Sequence, residues 1–425
     1  MNSNSFVLKG DFCYSRDPRH LETVRDGFLV SVDGVSAGIY QILPEPYWGL
    51  PVEDWSGRLI IPGLTDLHVH APQYAFRGLG MDLELLDWLE AHVFPEEAKY
   101  RDLDYAGKAY GIFAGDLKRG ATTRACIFAT AHTEATELLM DLLEETGLET
   151  LVGRVNMDRN CPDFIRESGA RSSAKETVRW LEETSGKYRR TRPILTPRFI
   201  PSCTDELMER LAEIQREYHL PVQSHLSENG GEGAWVQELC PDSRFYGDAY
   251  DAFGLFGGGA KTIMAHCVLS CDEEIALMKE RGVYIAHCPQ SNTNLSSGVA
   301  PVRRYLDEGL NIGLGSDVAG GSSLSILRAV ADAVQCSKLR WRLLDQTLAP
   351  LTVAEAFWLG TVGGGSFFGK VGSFAPGYEL DAVVLDDSHL KTPLELSVGD
   401  RLERAVYLTE ERDVAAKYVK GQKIF

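Results

Sequence analysis

The chain has 425 residues, 44% of them hydrophobic and 24% charged, with a formal net charge of -18. That length and apolar content suit one large domain with a smaller companion and exclude a disordered chain, while the acidic balance, with no Lys/Arg cluster to offset it, argues against nucleic acid or anionic membrane as a partner. The nine cysteines never fall as Cys-x-x-Cys, no apolar run reaches bilayer length and no basic-then-apolar leader is visible, so a reduced, cytoplasmic protein is expected.

From the N-terminus to about Gly57, short apolar runs (Phe6 to Leu8, Gly27 to Val32, Ala37 to Tyr40) are separated by Asp-Gly and Ser turns and read as strands. Arg58 to Ile61 is apolar enough for a buried strand and leads into Pro62-Gly63-Leu64-Thr65-Asp66-Leu67-His68-Val69-His70. If that strand runs through His70, its period of two puts His68 and His70 on one face, where both imidazoles can reach one metal ion. His-x-His alone is a weak signal, and its weight depends on ligands arriving from other strand ends.

Further apolar runs follow at Thr122 to Phe128, Thr150 to Asn156, Ile194 to Phe199, Val222 to His225, Thr262 to His266, Val283 to His287 and Ile312 to Asp317. The intervals hold helices. Thr204 to Tyr218 places Leu207, Leu211 and Ile214 on one face with Thr204 as cap, and Ser270-Cys271-Asp272-Glu273 reads as a capping box for a helix ending near Arg281-Gly282. Eight such units predict an α/β fold, a closed (β/α)8 barrel of TIM type. The runner-up, an open doubly wound sheet, lacks its Gly-x-Gly-x-x-Gly fingerprint. In the tail, Leu380 to Leu385, Arg404 to Leu408 and Ala416 to Gly421 are strand-like. Residues 1–60 and 366–425 are therefore expected to form a small composite domain of β-sandwich type, with the barrel over 61–365.

Barrel chemistry sits at the C-terminal ends of the strands. There the sequence puts His68 and His70, Arg198 and Phe199, His225 followed by Leu226-Ser227-Glu228, His266, and Asp317. Imidazoles with one carboxylate suit Zn²⁺ with a position left for water. Singly, His266 reads equally as a core histidine and Asp317 as a cap for Val318-Ala319-Gly320-Gly321; together they are more than scatter gives. Two decoys lie nearby. His132-Thr133-Glu134 has the His-x-Glu of the small zinc deaminases but no Pro-Cys-x-x-Cys, so His132 reads as structural. His287 ends the seventh strand and reads as a packing residue, and its neighbour Cys288 has no basic partner to make it a nucleophile.

These residues resemble the metal-dependent amidohydrolase superfamily in its aromatic-base deaminase branch. Six segments resemble the guanine deaminase family in order: His70-Ala71-Pro72-Gln73-Tyr74-Ala75-Phe76, Pro197-Arg198-Phe199, Gln223-Ser224-His225-Leu226-Ser227-Glu228, Met264-Ala265-His266, His287-Cys288-Pro289-Gln290-Ser291-Asn292, and Gly313 to Gly321. The likeness covers about Leu59 to Leu385; Ile200-Pro201-Ser202 departs from some members at the pocket rim. It implies a zinc enzyme, usually a homodimer, that converts guanine and water to xanthine and ammonia. One Zn²⁺ per subunit (or Fe²⁺) is then expected on His68, His70, His225 and Asp317, activating water for attack at C2. Glu228 would shuttle the proton to N3, Asp317 would take one from the water, and the resemblance gives His266 an orienting role, with ligation as a second possibility. Arg198 would donate to O6 of the base, Gln73 would match its mixed edge and Phe199 would stack, with His225, Glu228 and Asp317 lining the same pocket. The alternatives are an ion pair for Arg198, a loop hydrogen bond for Gln73 and a core position for Phe199. The segment Leu83 to Phe94, with Trp88, reads as a lid or as ordinary packing. A relative acting on 8-oxoguanine, a pterin or a triazine is the alternative substrate class; a non-catalytic scaffold is disfavoured because every metal-ligand position is kept.

Overall fold

The structure, a computed structural model, describes residues 4–425, so the first three residues of the expected N-terminal segment lie outside the described residues. The chain opens with β1 (Phe6–Asp17), β2 (His20–Val32), β3 (Val35–Tyr40) and β4 (Val52–Pro62). It continues through β5 (Leu64–His70), β6 (Thr122–Phe128), β7 (Glu149–Gly153), β8 (Val155–Asn156), β9 (Thr191–Pro193) and β10 (Thr196–Pro197). Then come β11 (Val222–Leu226), β12 (Thr262–His266), β13 (Tyr284–His287), β14 (Asn311–Leu314), β15 (Ala382–Leu385), β16 (Val414–Val419) and β17 (Gln422–Lys423).

Strands from both ends of the chain share one sheet, ordered β17-β16-β15-β4-β1-β2-β3. Its apolar face includes Phe6, Leu8, Phe12, Ile60, Val384 and Tyr418, and Phe374 and Leu380 from the segment before β15 pack on it. Among the described residues the terminal strands all belong to this one hydrogen-bonded sheet rather than to two separate ones. Arg404 to Leu408, expected as a strand, instead ends the helix Val398–Leu408. Val398, Leu402, Ala405 and Val406 recur there at helical spacing, and Ser397 and Asp400 cap the helix reciprocally.

Between these ends lies a TIM-barrel-like alternation of parallel strands and helices. Pairing runs β5-β6-β7-β9 in one sheet, β11-β12-β13-β14 in another and β8-β10 in a third, and does not close into one eight-stranded ladder. The interruption has a chemical cause. Pro193 and Pro197 lack N–H donors, so β9 ends at Pro193, just before the run expected over Ile194 to Phe199, and that run holds only β10, with Leu195 bridging to Val222. Thr150 to Asn156 splits into β7 and β8, and the last run ends at Leu314 rather than Asp317. Beyond β14 the chain returns to β5 through two backbone bonds, Asp317 N–H to His68 O (2.8 Å) and His70 N–H to Val318 O (3.1 Å). Leu67, Cys126, Leu151, Ile194, Ile263 and Ala286 fill the interior, which is a packed core and not a pore.

Of the two helices read most closely, Asp205–Tyr218 has Thr204 Oγ1 accepting from Leu207 N–H at 3.2 Å. Asp272–Arg281 begins as expected, but Cys271 is its N-cap and no side chain caps it, so the capping box is absent; Gly282, at φ 68°, ends it in the left-handed region. The terminal sheet is locked to the barrel by buried charge. Arg124 on β6 donates from Nε to Asp381 Oδ2 (2.7 Å) and from Nη2 to Glu379 Oε2 (2.8 Å). The buried Lys417 ammonium on β16 donates to the carbonyls of Leu117, Gly120 and Thr122 at 3.1, 2.7 and 2.9 Å.

Candidate active site

β5 is buried on both faces along its whole length, so its side chains point either into the interior or toward the helices. Its alternation carries His68 and His70 to one place, with rings 4.8 Å apart and nearly perpendicular. The neighbouring strand ends converge on them. His70 Nε2 lies 3.2 Å from both His68 Nε2 and His225 Nε2, and Asp317 Oδ1 lies 3.2 Å from His68 Nε2 and 3.5 Å from His70 Nε2. Donor atoms held tetrahedrally at Zn–N distances of 2.0–2.1 Å would be separated by about 3.3 Å. The observed spacings match. Three donor groups are close enough for one cation: His68, His70 and Asp317; His68, His225 and His266; and His266, Cys288 and Asp317.

The surroundings prepare those atoms for a cation. His225 Nδ1 donates to Arg198 O (2.6 Å) and His266 Nδ1 to Asn292 Oδ1 (2.9 Å), leaving each Nε2 lone pair free. Burial, then the charge of His68, drives the His70 and His225 imidazoles well below the usual histidine range, toward the neutral form that ligates. Burial alone would push Asp317 up, but the charge and hydrogen bond of His68, then His266 and His70, hold it below the usual carboxylate range. Asp317 (φ 44°) and His266 (φ 72°) both sit in left-handed backbone, the kind of strain that collects at functional sites. Gly315 lets the chain pass: a Cβ there would lie 2.9 Å from His68 Cβ and 2.8 Å from Cys288 Sγ.

Beside the cluster is a cavity lined by His70, Gln73, Arg198, Phe199, His225, Glu228, His266 and Asp317 among others. Glu228 Oε2 is 3.3 Å from His266 Nε2, and its Oε1 accepts from Ser297 Oγ at 3.3 Å. Burial, reinforced by the Asp317 charge, raises the Glu228 carboxyl well above the usual range. Gln73 and Arg198 take both the expected cavity position and their plainer alternatives. Gln73 Oε1 accepts from Ala319 N–H at 3.4 Å, and Arg198 Nη1 donates to Glu97 Oε2 at 2.9 Å. Phe199 meets Trp235 edge-on, with centroids 6.3 Å apart. The 83–94 segment contributes Leu85, Trp88 and Leu89 to the cavity wall through a helix, Leu85–Trp88, that runs into a π-helical turn, Leu89–Val93. Such turns gather at functional sites.

The decoys separate. His132 sits at the N-cap position of the helix Thr133–Thr146 without a side-chain capping bond and joins no donor group among the described residues, and burial holds its imidazole down near 4. His287 is buried and pushed down to about 3 by burial and then by His266, and it too joins none of the donor groups. Cys288 lies nearer the cluster than the sequence suggests, in a donor group with His266 and Asp317, while burial raises its thiol. Asn292, Ser297 and Glu97 escaped sequence reasoning. Asn292 lies in a segment already singled out, and its place near β13 was the available signal; Glu97 had none.

Comparison with known proteins agrees in direction. The profile of the amidohydrolase family matches residues 59–424. The guanine deaminase of Dictyostelium discoideum is 40% identical over 381 residues, 88% of this chain and 84% of its own. That of Homo sapiens is 39% identical over 441 residues, 98% of this chain and 96% of its own. A solved guanine deaminase from C. acetobutylicum, with guanine bound in its active site, superposes with a TM-score of 0.96 at 45% identity, covering 99% of this chain and 100% of that one.

Proposed function

Because the chain belongs to the amidohydrolase family, we propose that it hydrolyses guanine to xanthine and ammonia, at a centre holding one Zn²⁺, or Fe²⁺, on His68, His70, His225 and Asp317. One observation carries the reading: the convergence on one cavity of His70, His225 and Asp317, with His68 grouped behind them, and of Glu228 and two purine-edge readers, Gln73 and Arg198. The likeness to a solved relative with bound guanine supports the substrate class. A cation of this kind lowers the pKa of coordinated water to about 7, making a nucleophile available at neutral pH.

The chain's own groups do the rest. Arg198 donates to O6 and Gln73 offers one donor and one acceptor to the adjoining edge, holding C2 toward the cluster. As the water oxygen bonds to C2, Asp317 takes its proton and Glu228 protonates N3. His266, with Nδ1 fixed by Asn292, directs Nε2 at the same region and orients the attacking oxygen. When C2 returns to planarity, Asp317 passes its proton to the amino group, Glu228 takes the remaining hydroxyl proton, the C–N bond breaks and ammonia leaves, so both carboxyls regain their starting states. Glu228, already beside His266 and Ser297, needs no large movement to serve both steps. A cytoplasmic homodimer is part of the same proposal.

The test is direct. Zinc-loaded protein given guanine should release ammonia stoichiometrically with xanthine. Absence of ammonia from guanine, with turnover of 8-oxoguanine, a pterin or a triazine instead, would move the assignment to that substrate.

A further inference from the structure

Glu97 is completely buried, does not line the cavity, and contacts no atom of the donor cluster among the described residues. Its carboxylate nevertheless touches both purine-edge readers: Oε1 accepts from Gln73 Nε2 at 3.1 Å and Oε2 accepts from Arg198 Nη1 at 2.9 Å. Three residues earlier in the same short helix, Phe94–Glu97, the Phe94 ring lies 5.4 Å from Arg198 Cζ, so that helix grips the guanidinium by charge and by a π-face. Gln73 and Arg198 come from different strand ends, after β5 and after β10, and no described hydrogen bond joins them directly.

We propose that Glu97 is a positioning residue that sets specificity for the 6-oxo edge of the base, by fixing Gln73 and Arg198 relative to each other through one carboxylate. The physical reason is the donor inventory. A side-chain amide can flip and exchange its donor for its acceptor, which would invert the edge it reads. A carboxylate accepts only, so Glu97 forces the Gln73 nitrogen toward itself while Ala319 N–H fixes the oxygen. One N–H of Gln73 and the remaining guanidinium donors of Arg198 are thereby left for the ligand. An unpaired Arg198 would instead sample many rotamers in a nearly water-free wall.

The inference rests on the guanine reading above, and the test separates the two. The measurements are kcat/KM for guanine and the inhibition constant of 2-aminopurine, which keeps the C2 amino group and lacks the 6-oxo group. For Glu97→Gln, kcat/KM for guanine should fall about ten- to hundredfold, carried by KM, as expected for losing a charge-assisted hydrogen bond. The 2-aminopurine constant and the metal content should hardly move. Glu97→Asp, one methylene shorter, reaches one donor only and should fall between. Equal weakening of both bases, or unchanged guanine KM in either folded variant, overturns the proposal. So does failure of both variants to fold, since the acid would then be a fold element. Wild-type protein that turns over no guanine defeats the parent reading instead.

Discussion

Glu228→Gln isolates proton transfer from everything else the site does. The change is isosteric and removes one ionisable group. The new amide can keep its oxygen on Ser297 Oγ, and its N–H₂ can face His266 Nε2, a bare acceptor because Nδ1 is committed to Asn292. No cation donor group among the described residues includes Glu228, so metal content should match wild type. Melting temperature should hold or rise slightly, because burial already disfavours the charged form of this carboxyl. Turnover should drop by about 10²–10⁴-fold, the usual worth of general acid–base catalysis, or roughly 3–5 kcal/mol of barrier. The assay is ammonia release alongside metal analysis and a thermal melt on one preparation. Turnover within about tenfold of wild type would remove Glu228 from the mechanism, and loss of metal with the activity would make it a ligand.

Three other outcomes follow from the geometry. Arg124→Met leaves the fully buried Asp381 carboxylate without its cation and should cost about 3–5 kcal/mol; on 425 residues that is a melting shift of roughly 3–6 °C, and a shift too small to resolve would mean the junction is not held by this pair. His287 is neutral in the fold, its pKa pushed from 6.5 down to about 3, so the unfolded chain takes the proton first. Its contribution is present above pH 6.5 and lost as pH falls, about 2 kcal/mol of it by pH 5; His287→Asn should flatten melting temperature between pH 7.5 and 5, and an unchanged slope would place the acid sensitivity elsewhere. Stripping the cation with a chelator should lower the melting temperature, by the equivalent of about 4 kcal/mol if the protein was held at a thousandfold excess over Kd, and zinc should restore it; indifference to both would mean the imidazoles pack stably without an ion.

What could be read from the sequence was whatever depends on periodicity. His68 and His70 are two apart on a strand, and His225 and His266 end apolar runs, so the alternation alone carried them to one rim. Three features resisted because their causes are not periodic. The fourth barrel strand breaks on the missing N–H groups of Pro193 and Pro197, although the run around them is apolar. The last barrel strand stops at Leu314, so Asp317, though named as a candidate ligand, sits three residues beyond it on left-handed backbone that only tertiary contacts can hold. Arg404 to Leu408 holds apolar residues that look strand-like over five positions and helical only once Val398 and Leu402 are included. Glu97 is harder still. In sequence it is an acid in the first turn of a short helix, where acids are common for dipole reasons, and its two partners are 24 and 101 positions away.

The cavity therefore has two halves built by different means. On one side, imidazoles hang from strand ends whose positions are set by ladder hydrogen bonds and by a packed interior, so their geometry is as rigid as the barrel itself. On the other side, the proposed readers of the base, Gln73 and Arg198, come from loops after two strands, beside a wall with a π-helical turn, and are joined through one buried carboxylate. In the proposed mechanism the first half, with Glu228, carries the hydrolytic chemistry, and the second half reads the identity of the base. Substitutions at Gln73, Glu97 or Arg198 should accordingly change which base is accepted while metal content stays constant. Substitutions at His68, His70 or Asp317 should lower metal content and turnover together for every base. A variant at Gln73 or Arg198 that sheds its metal would show the halves to be mechanically coupled, most directly through the His225 Nδ1 bond to Arg198 O, the one hydrogen bond described that runs from a reader to an imidazole of the cluster.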